Sequence, residues 1–289
     1  MELLAQQLVN GLMAGSIYAL VGLGLFLVYG LLDILNFAQG QLVVLGGYLC
    51  FVLVTIAHVP FVLAIVIGMI AIAILAVTLE GLVFRPVEAT PINGLIVSIG
   101  VIGIVQSLLL LKAGTTPRAI PPLLPGTFQF GQVVFIDERL LILCVSGCLV
   151  AAFMVFLRVG RWGKAMRATL QNREAAILMG IPVRAITQLS FGVGGVLAAA
   201  AGGLLGTIVP VDPFTGDSVL LKGFIVLIVG GTTSPIGVVV ASVALGIAEA
   251  LGAGYISASA QDAFGFLILV VFLLVRPEGL LAERSARRA

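Results

Sequence analysis

An all-α, polytopic membrane protein of about eight transmembrane helices, drawn from eight or nine hydrophobic segments, is the fold class this sequence predicts. Three observations predict it. Of 289 residues, 61% are hydrophobic and only 10% are charged, where a soluble domain carries roughly 25% charged residues. The deficit is concentrated: residues 3–32, 34–79, 89–111, 140–157, 185–211 and 223–248 contain no Asp, Glu, Lys or Arg. A helix needs about 20 apolar residues to cross the hydrocarbon core, so each window holds a crossing and 34–79 holds two. Finally, the apolar runs lack period-two alternation. Of the two architectures that satisfy every backbone group in lipid, helices therefore win over a closed barrel.

The elements follow in order. Segment one runs from about residue 4 to 28, and the polar interruption 29–41 follows it. Segments two, three and four cover about 42–58, 60–83 and 92–111. The loop 112–139 is the longest and carries Pro117, Pro121, Pro122 and Pro125. Segment five covers about 140–157, a basic loop spans 158–184, and segment six covers about 186–208. After Pro210 the apolar material is divided into 219–231, 236–252 and 263–275. A break at Gly230-Gly231-Thr232-Thr233-Ser234-Pro235-Ile236-Gly237 separates the first two. One or more of these shorter segments is expected to be re-entrant. The chain reads as a single transmembrane domain over 1–289, with 158–184 as a loop within it.

Charge placement predicts sidedness. Arg158, Arg161, Lys164, Arg167, Arg173 and Arg184 stand against Glu174 alone in the 158–184 loop, and the tail carries Arg276, Arg284, Arg287 and Arg288. Short loops rich in Lys and Arg stay in the cytoplasm, so both sites are placed inside, an even number of crossings apart. The 112–139 loop is then external. The N-terminus is placed outside, because the first Lys or Arg is Arg85. Lacking the positive n-region of a secretory signal, Met1 is read as the start of the mature chain. A net charge of +2 gives no argument for nucleic acid. Cys50, Cys144 and Cys148 all fall in apolar windows and read as small, soft core residues. No disulfide framework, metal-ligand cluster or cofactor site is predicted.

Small residues recur at four-residue spacing in three places. These are Gly11, Gly15 and Ala19; Ala198, Gly202 and Gly206; and Ser242, Gly246, Ala250 and Gly254. Such ladders let helix backbones approach closely in lipid.

The basic loop is patterned beyond what a connector needs. Trp162, Met166 and Leu170 form a narrow apolar stripe at i, i+4, i+8. Asn172 is placed to cap a second short helix. Glu174 sits in its first turn, where the helix dipole favours an anion. Gly180 is placed as its stop, with Pro182 two residues on. A short capped helix between two membrane segments suits either a docking knob, with Leu178 and Met179 as apolar contacts, or an amphipathic element resting on anionic lipid.

Glu174-Ala175-Ala176, followed by Gly180, resembles the Glu-Ala-Ala-xxx-Gly core of the cytoplasmic loop of ABC importer permeases. The Ile-x-Leu-Pro continuation of that motif is missing. Further elements resemble the LivH-type permease subunit of branched-chain amino acid importers. They are Gly15-Ser-Ile-Tyr-Ala-Leu20, Gly24-Leu-Phe-Leu-Val-Tyr-Gly30, Asn36-Phe-Ala-Gln-Gly-Gln41, Phe84-Arg-Pro86, Gly163-Lys-Ala-Met-Arg-Ala168, Val229 to Gly237 and Arg276-Pro-Glu-Gly-Leu280. They run in order along nearly the whole chain. The family commonly has His and Glu where this chain has Gln39 and Gln41.

The resemblance implies a membrane subunit that binds no cofactor and works with partners. These are two cytoplasmic ATPase subunits, a second permease subunit in a heterodimer, an external solute-binding protein and membrane lipid. Glu174, Ala175, Ala176 and Gly180 would couple it to the ATPase. The chain has no Gly-xxxx-Gly-Lys-[Ser/Thr] phosphate loop of its own. Branched-chain amino acids fit the family best, and relatives look like carriers of other amino acids, short amides or urea. The expected location is the bacterial cytoplasmic (inner) membrane.

The translocation path is expected at the two polar breaks, with Asp33, Asn36, Gln39 and Gln41 in one and Thr232, Thr233 and Ser234 in the other. Discontinuous helices offer backbone groups to a solute. Glu80 and Glu249 are expected near segment ends, reaching the interface. Lys222 is expected to snorkel outward, and His58 to be interfacial. The alternatives are an ion-coupled secondary transporter, which needs a convergent intramembrane acid site, and a passive channel for a small polar solute such as urea or amides. A membrane enzyme is disfavoured, because no His cluster, Cys/His pair or paired carboxylates appear.

Overall fold

A computed structural model describes residues 2–32, 34–87, 91–121, 127–130, 133–257, 261–275 and 279. The chain is a helical bundle. α1 (Glu2–Leu32), α2 (Gln39–Phe51), α3 (Phe61–Leu79), α4 (Pro91–Ala113) and α5 (Asp137–Val159) come first. Two short helices, α6 (Arg161–Gln171) and α7 (Arg173–Leu178), occupy the basic loop. α8 (Val183–Ile208), α9 (Thr215–Gly230), α10 (Pro235–Tyr255) and α11 (Gln261–Val275) complete the bundle. Among the described residues seven helices are long and apolar enough to cross a membrane, α2 being counted through Ile56. With the shorter α9 and α11 they make the nine hydrophobic segments read from the sequence.

Local geometry ends several helices earlier or later than the apolar windows do. α2 runs into a π-helical turn over Val52–Ile56. His58 then turns the chain at φ 52°, exposed at the helix end. α3 continues through a π-helical turn at Glu80–Phe84 and a 3-10 turn at Arg85–Val87. The long loop contains a small antiparallel hairpin, β1 (Thr127–Phe130) with β2 (Val133–Ile136), in register Thr127 opposite Ile136. The loop is pinned to the end of α8 by main-chain bonds. Arg118 and Val211 exchange N–H to O bonds at 2.9 and 2.8 Å, and the Ile120 N–H donates to the Gly206 carbonyl at 2.9 Å.

Burial sorts the helices. In α1, 89% of the most apolar window is buried inside the chain, and in α8 67%, but in α3, α4 and α5 only 28%, 17% and 22%. α1 and α8 are therefore the centre, and the other three present apolar faces outward, as a lipid-facing helix does. The small-residue ladders explain the close central packing. Gly11 and Gly15 of α1 lie directly on Ser242, Gly246 and Ile247 of α10, and Gly202 of α8 lies on Val43 and Gly47 of α2. A Cβ at Gly15 would stand 2.8 Å from the Val243 Cα. In lipid such contact gives dispersion energy that tail-facing Leu does not gain.

Pairings fix the directions. Gly11 with Ile247 and Gly15 with Ser242 make α1 and α10 antiparallel, and Gly22 beside Val226 sets α9 parallel to α1. Gly252 against Phe264, with Gly265 against Leu245, makes α11 antiparallel to α10. α9, α10 and α11 thus alternate in direction.

The cysteines divide. Cys50 is buried, but Cys144 and Cys148 are exposed on α5. The expectation of core positions for those two fails because α5 is apolar all round, and its outward face is as apolar as its inward one.

Candidate functional site

The corner between α5 and α6 is closed by Gly163, whose missing side chain lets its backbone rest on Leu157. Met166 is fully buried and Leu170 partly so, while Trp162 stays half exposed. The apolar stripe therefore anchors α6 through two of its three members. Arg161, Lys164 and Arg167 remain on the exposed face.

Asn172 leaves α6 in extended conformation, and its Oδ1 accepts a hydrogen bond from the Ala175 N–H at 2.9 Å. The other end of α7 closes with Gly180 at φ +78°. The Gly180 N–H donates to the Ile177 carbonyl and the Ile181 N–H to the Ala176 carbonyl, both at 3.0 Å. That bond pair is a Schellman closure, which needs a left-handed residue at the position Gly180 holds. Only Ala176 of α7 is buried; Glu174 and Ala175 are exposed. Leu178 and Met179 expose 87% and 82% of their surface, with Ile177 at 55%. α7 is thus a rigid, doubly capped projection with apolar tips, held on a basic surface.

The first polar break lies deep in the protein. Asp33 falls outside the described residues. The Asn36 Oδ1 accepts from the Ala38 N–H at 3.1 Å, a local turn that starts α2, and the Asn36 Nδ2 is buried without a partner. The Gln39 side chain lies against Gly24 of α1 and donates through Nε2 to the Gly194 carbonyl of α8 at 3.0 Å. Gln41 is buried with neither amide atom partnered. Gly24 lies eight residues before the end of α1, so Gln39 begins α2 about 12 Å inside that end. Irregular backbone at this depth is tolerated because protein surrounds it.

The second break is a capped corner. Gly231 stands at φ +98°, the Ser234 Oγ accepts from the Gly237 N–H at 3.2 Å, and Pro235 opens α10. Thr233 is exposed, and Thr232 and Ser234 are partly buried. This corner sits beside Gly30 at the α6 end of the bundle. It is six residues further along α1 than Gln39, about 9 Å by helical rise. The two breaks therefore occupy different depths.

Glu80 and Glu249, which the sequence placed at the interface, are buried instead, and Lys222 is partly buried and paired. Glu249 is 1% exposed, and its Oε2 accepts from the Lys222 Nζ at 2.9 Å and from the Tyr18 hydroxyl at 2.7 Å. Lys222 also donates to the Tyr18 oxygen at 3.0 Å. Snorkelling is overridden here because an opposite charge lies closer than water. Glu80 is 3% exposed, in the π-helical turn where α3 packs on α8. The available signal was the pair itself: opposite charges bracketing the uncharged window 223–248 invite a search for an intramembrane partner. Among the described residues no cluster of His, Cys, Asp and Glu is arranged to hold a metal ion.

Comparison with known proteins agrees with this architecture. The sequence profile of the family described as "Branched-chain amino acid transport system / permease component" matches residues 7–276. The high-affinity branched-chain amino acid transport system permease protein BraD of Pseudomonas aeruginosa is 33% identical over 98% of this chain and 97% of its own. The corresponding LivH protein of Escherichia coli K12 is 31% identical over the same shares. The probable LivH permease of Methanocaldococcus jannaschii is 29% identical over 92% of this chain and 88% of its own. Among solved structures, PsaBC of Streptococcus pneumoniae in complex with Fab shares the fold. Its TM-score is 0.52 over 95% of this chain and 91% of that one, at 17% identity. A multi-pass helical bundle matched along nearly its whole length places this chain in the permease component family of branched-chain amino acid transport systems.

Proposed function

We propose that this chain is the membrane-embedded permease subunit of an ABC importer in the bacterial cytoplasmic membrane, and that α7 is its coupling helix. The observation that carries the reading is the exposure of Leu178 and Met179 at the tip of a helix capped at both ends. A helix of six residues is too short to persist on its own. Asn172 and Gly180 hold it folded, and none of the described residues covers its apolar tip. A cleft on a cytoplasmic ATPase subunit is the partner that such a knob fits. Glu174 lies in its first turn, and the basic face of α6 flanks it.

The complete importer would contain this chain, a second permease subunit, two ATPase subunits and an external solute-binding protein. The solute class is branched-chain amino acids. Solute would move through the bundle while the ATPases hydrolyse ATP, the force passing through α7 and the corner at Gly163 into α5 and α8. Asn36, Gln39 and Gln41, with Thr232, Thr233 and Ser234, are proposed as groups along the path. The orphaned amides of Asn36 and Gln41 support the first set.

The test is reconstitution of the assembled complex in vesicles. Leucine uptake is expected to require ATP and the binding protein, and Leu178→Glu is expected to abolish both ATPase capture and uptake. Uptake driven by an ion gradient without ATP would overturn the reading.

A further inference from the structure

The cluster of Tyr18, Lys222 and Glu249 is not explained by the coupling helix or by either polar break. It joins α1, α9 and α10, and two of its members line a cavity. Lys222 and Glu249 share that lining with Ser218, Leu221, Ile225 and Phe266. Ser218, Leu221 and Phe266 are exposed, so the mouth opens to the outside of the chain. Lys222 is seven residues into α9 and Glu249 six residues from the end of α10, about 10 Å from the helix ends by rise. The charges therefore lie within the bilayer's span, where uncompensated charge is costly and marks functional positions.

The carboxylate is used on one side only. Its Oε2 accepts from Lys222 and Tyr18, while its Oε1 is buried with no hydrogen-bond partner. Oε1 rests on Gly265 of α11, where a Cβ would stand 2.9 Å away. A carboxylate offers about four acceptor positions, and a buried one left half satisfied is unfavourable. The cavity is thus lined by a cation, by an anion whose second oxygen is packed behind it against Gly265, and by aliphatic and aromatic side chains.

We propose that this cavity is a subsite for a zwitterionic amino acid with an apolar side chain. The solute ammonium pairs with the Glu249 carboxylate, its carboxylate with Lys222, and its hydrocarbon rests on Leu221, Ile225 and Phe266. Tyr18 holds Glu249 in place and positions it. The inference rests on the importer reading and names where that importer meets its solute. In the absence of solute the two charges neutralise one another. Solute exchanges one ion pair for two and leaves the net charge of the site unchanged.

A simple structural bolt would have the same resting geometry, and the experiment separates the two. The double variant Lys222→Met with Glu249→Met replaces the pair by apolar groups of similar length, a change that buried pairs often tolerate. It is compared with wild type in the complete complex, reading co-purification, ATP hydrolysis stimulated by leucine-loaded binding protein, and leucine uptake. The expected result is intact assembly, retained stimulation and uptake lowered at least about tenfold, the scale of a lost charge-assisted bond. Uptake like wild type would overturn the subsite. Should the double variant not assemble, Ser218→Cys gives a second reading, with saturating leucine expected to slow its modification by a maleimide in the complex. Unchanged modification overturns the proposal. Failure of the importer reading is distinguishable, because the wild-type complex itself would then show no ATP-dependent uptake.

Discussion

A methyl group placed on Gly246 of α10 would come within 2.7 Å of the Cα of Gly15 on α1. These two glycines set the spacing of the two helices that make the most extensive contact in the chain. Gly246→Ala forces the helices apart, at a cost of about 1–3 kcal/mol by the measure of overpacked cores. Gly103 of α4 is exposed, with nothing near the position its Cβ would take. Gly103→Ala is expected to be neutral, or to stabilise by up to about 1 kcal/mol through helix propensity. Thermal unfolding of the detergent-solubilised chain compares the two, and equal midpoints would remove the claim that the small-residue ladder holds α1 to α10.

The caps of α7 give a second prediction. Asn172→Ala removes the acceptor for the Ala175 N–H and is expected to cost about 1 kcal/mol of local helix stability. Gly180→Val places a β-branched residue at φ +78° and should cost about as much or more. Because α7 buries only Ala176, neither change should shift global unfolding by more than a few tenths of a kcal/mol. Both should weaken binding of a cytoplasmic ATPase several-fold in a pull-down. A large fall in global stability with unchanged ATPase binding would reverse the assignment.

Local chemistry was legible in the sequence, and long-range chemistry was not. The stop at Gly180 and the cap at Asn172 depend on residues within a turn of one another, so composition and spacing were enough. The ladders at Gly11 and Ser242 were each visible, but only the fold shows that they face each other. Tyr18 lies 204 residues from Lys222 and 231 from Glu249, so no window joins them. The Gln39 bond to the Gly194 carbonyl crosses 155 residues. Cys144 and Cys148 were misplaced because a uniformly apolar helix carries no period to orient it.

Those cysteines make a third prediction. Cys144 and Cys148 are exposed on α5, whereas Cys50 is 1% exposed and faces Gly203 of α8. A small apolar maleimide applied to the folded chain in detergent is expected to modify Cys144 and Cys148 and to spare Cys50 until denaturant is added. Mass spectrometry of the labelled peptides reads the outcome. Rapid labelling of Cys50 in the native chain would contradict the contact of α2 with α8.

Gln39 supplies the last prediction. Its Nε2 donates to the Gly194 carbonyl inside the protein, and Gly24 leaves the space in which the amide lies. Gln39→Leu removes the bond and leaves a helix carbonyl that still has its own intrahelical donor, so a loss of about 1 kcal/mol is expected. Gln39→Glu does more: an ionised carboxylate has no donor and would face a carbonyl oxygen in a buried site. Its loss should exceed that of Gln39→Leu by about 2 kcal/mol or more near neutral pH. Protonating the carboxyl restores a donor, so the gap between the two variants should narrow as pH falls. Unfolding midpoints at two pH values decide it. If the Glu variant matches the Leu variant at both, the amide is a spacer, and the start of α2 is held by packing alone.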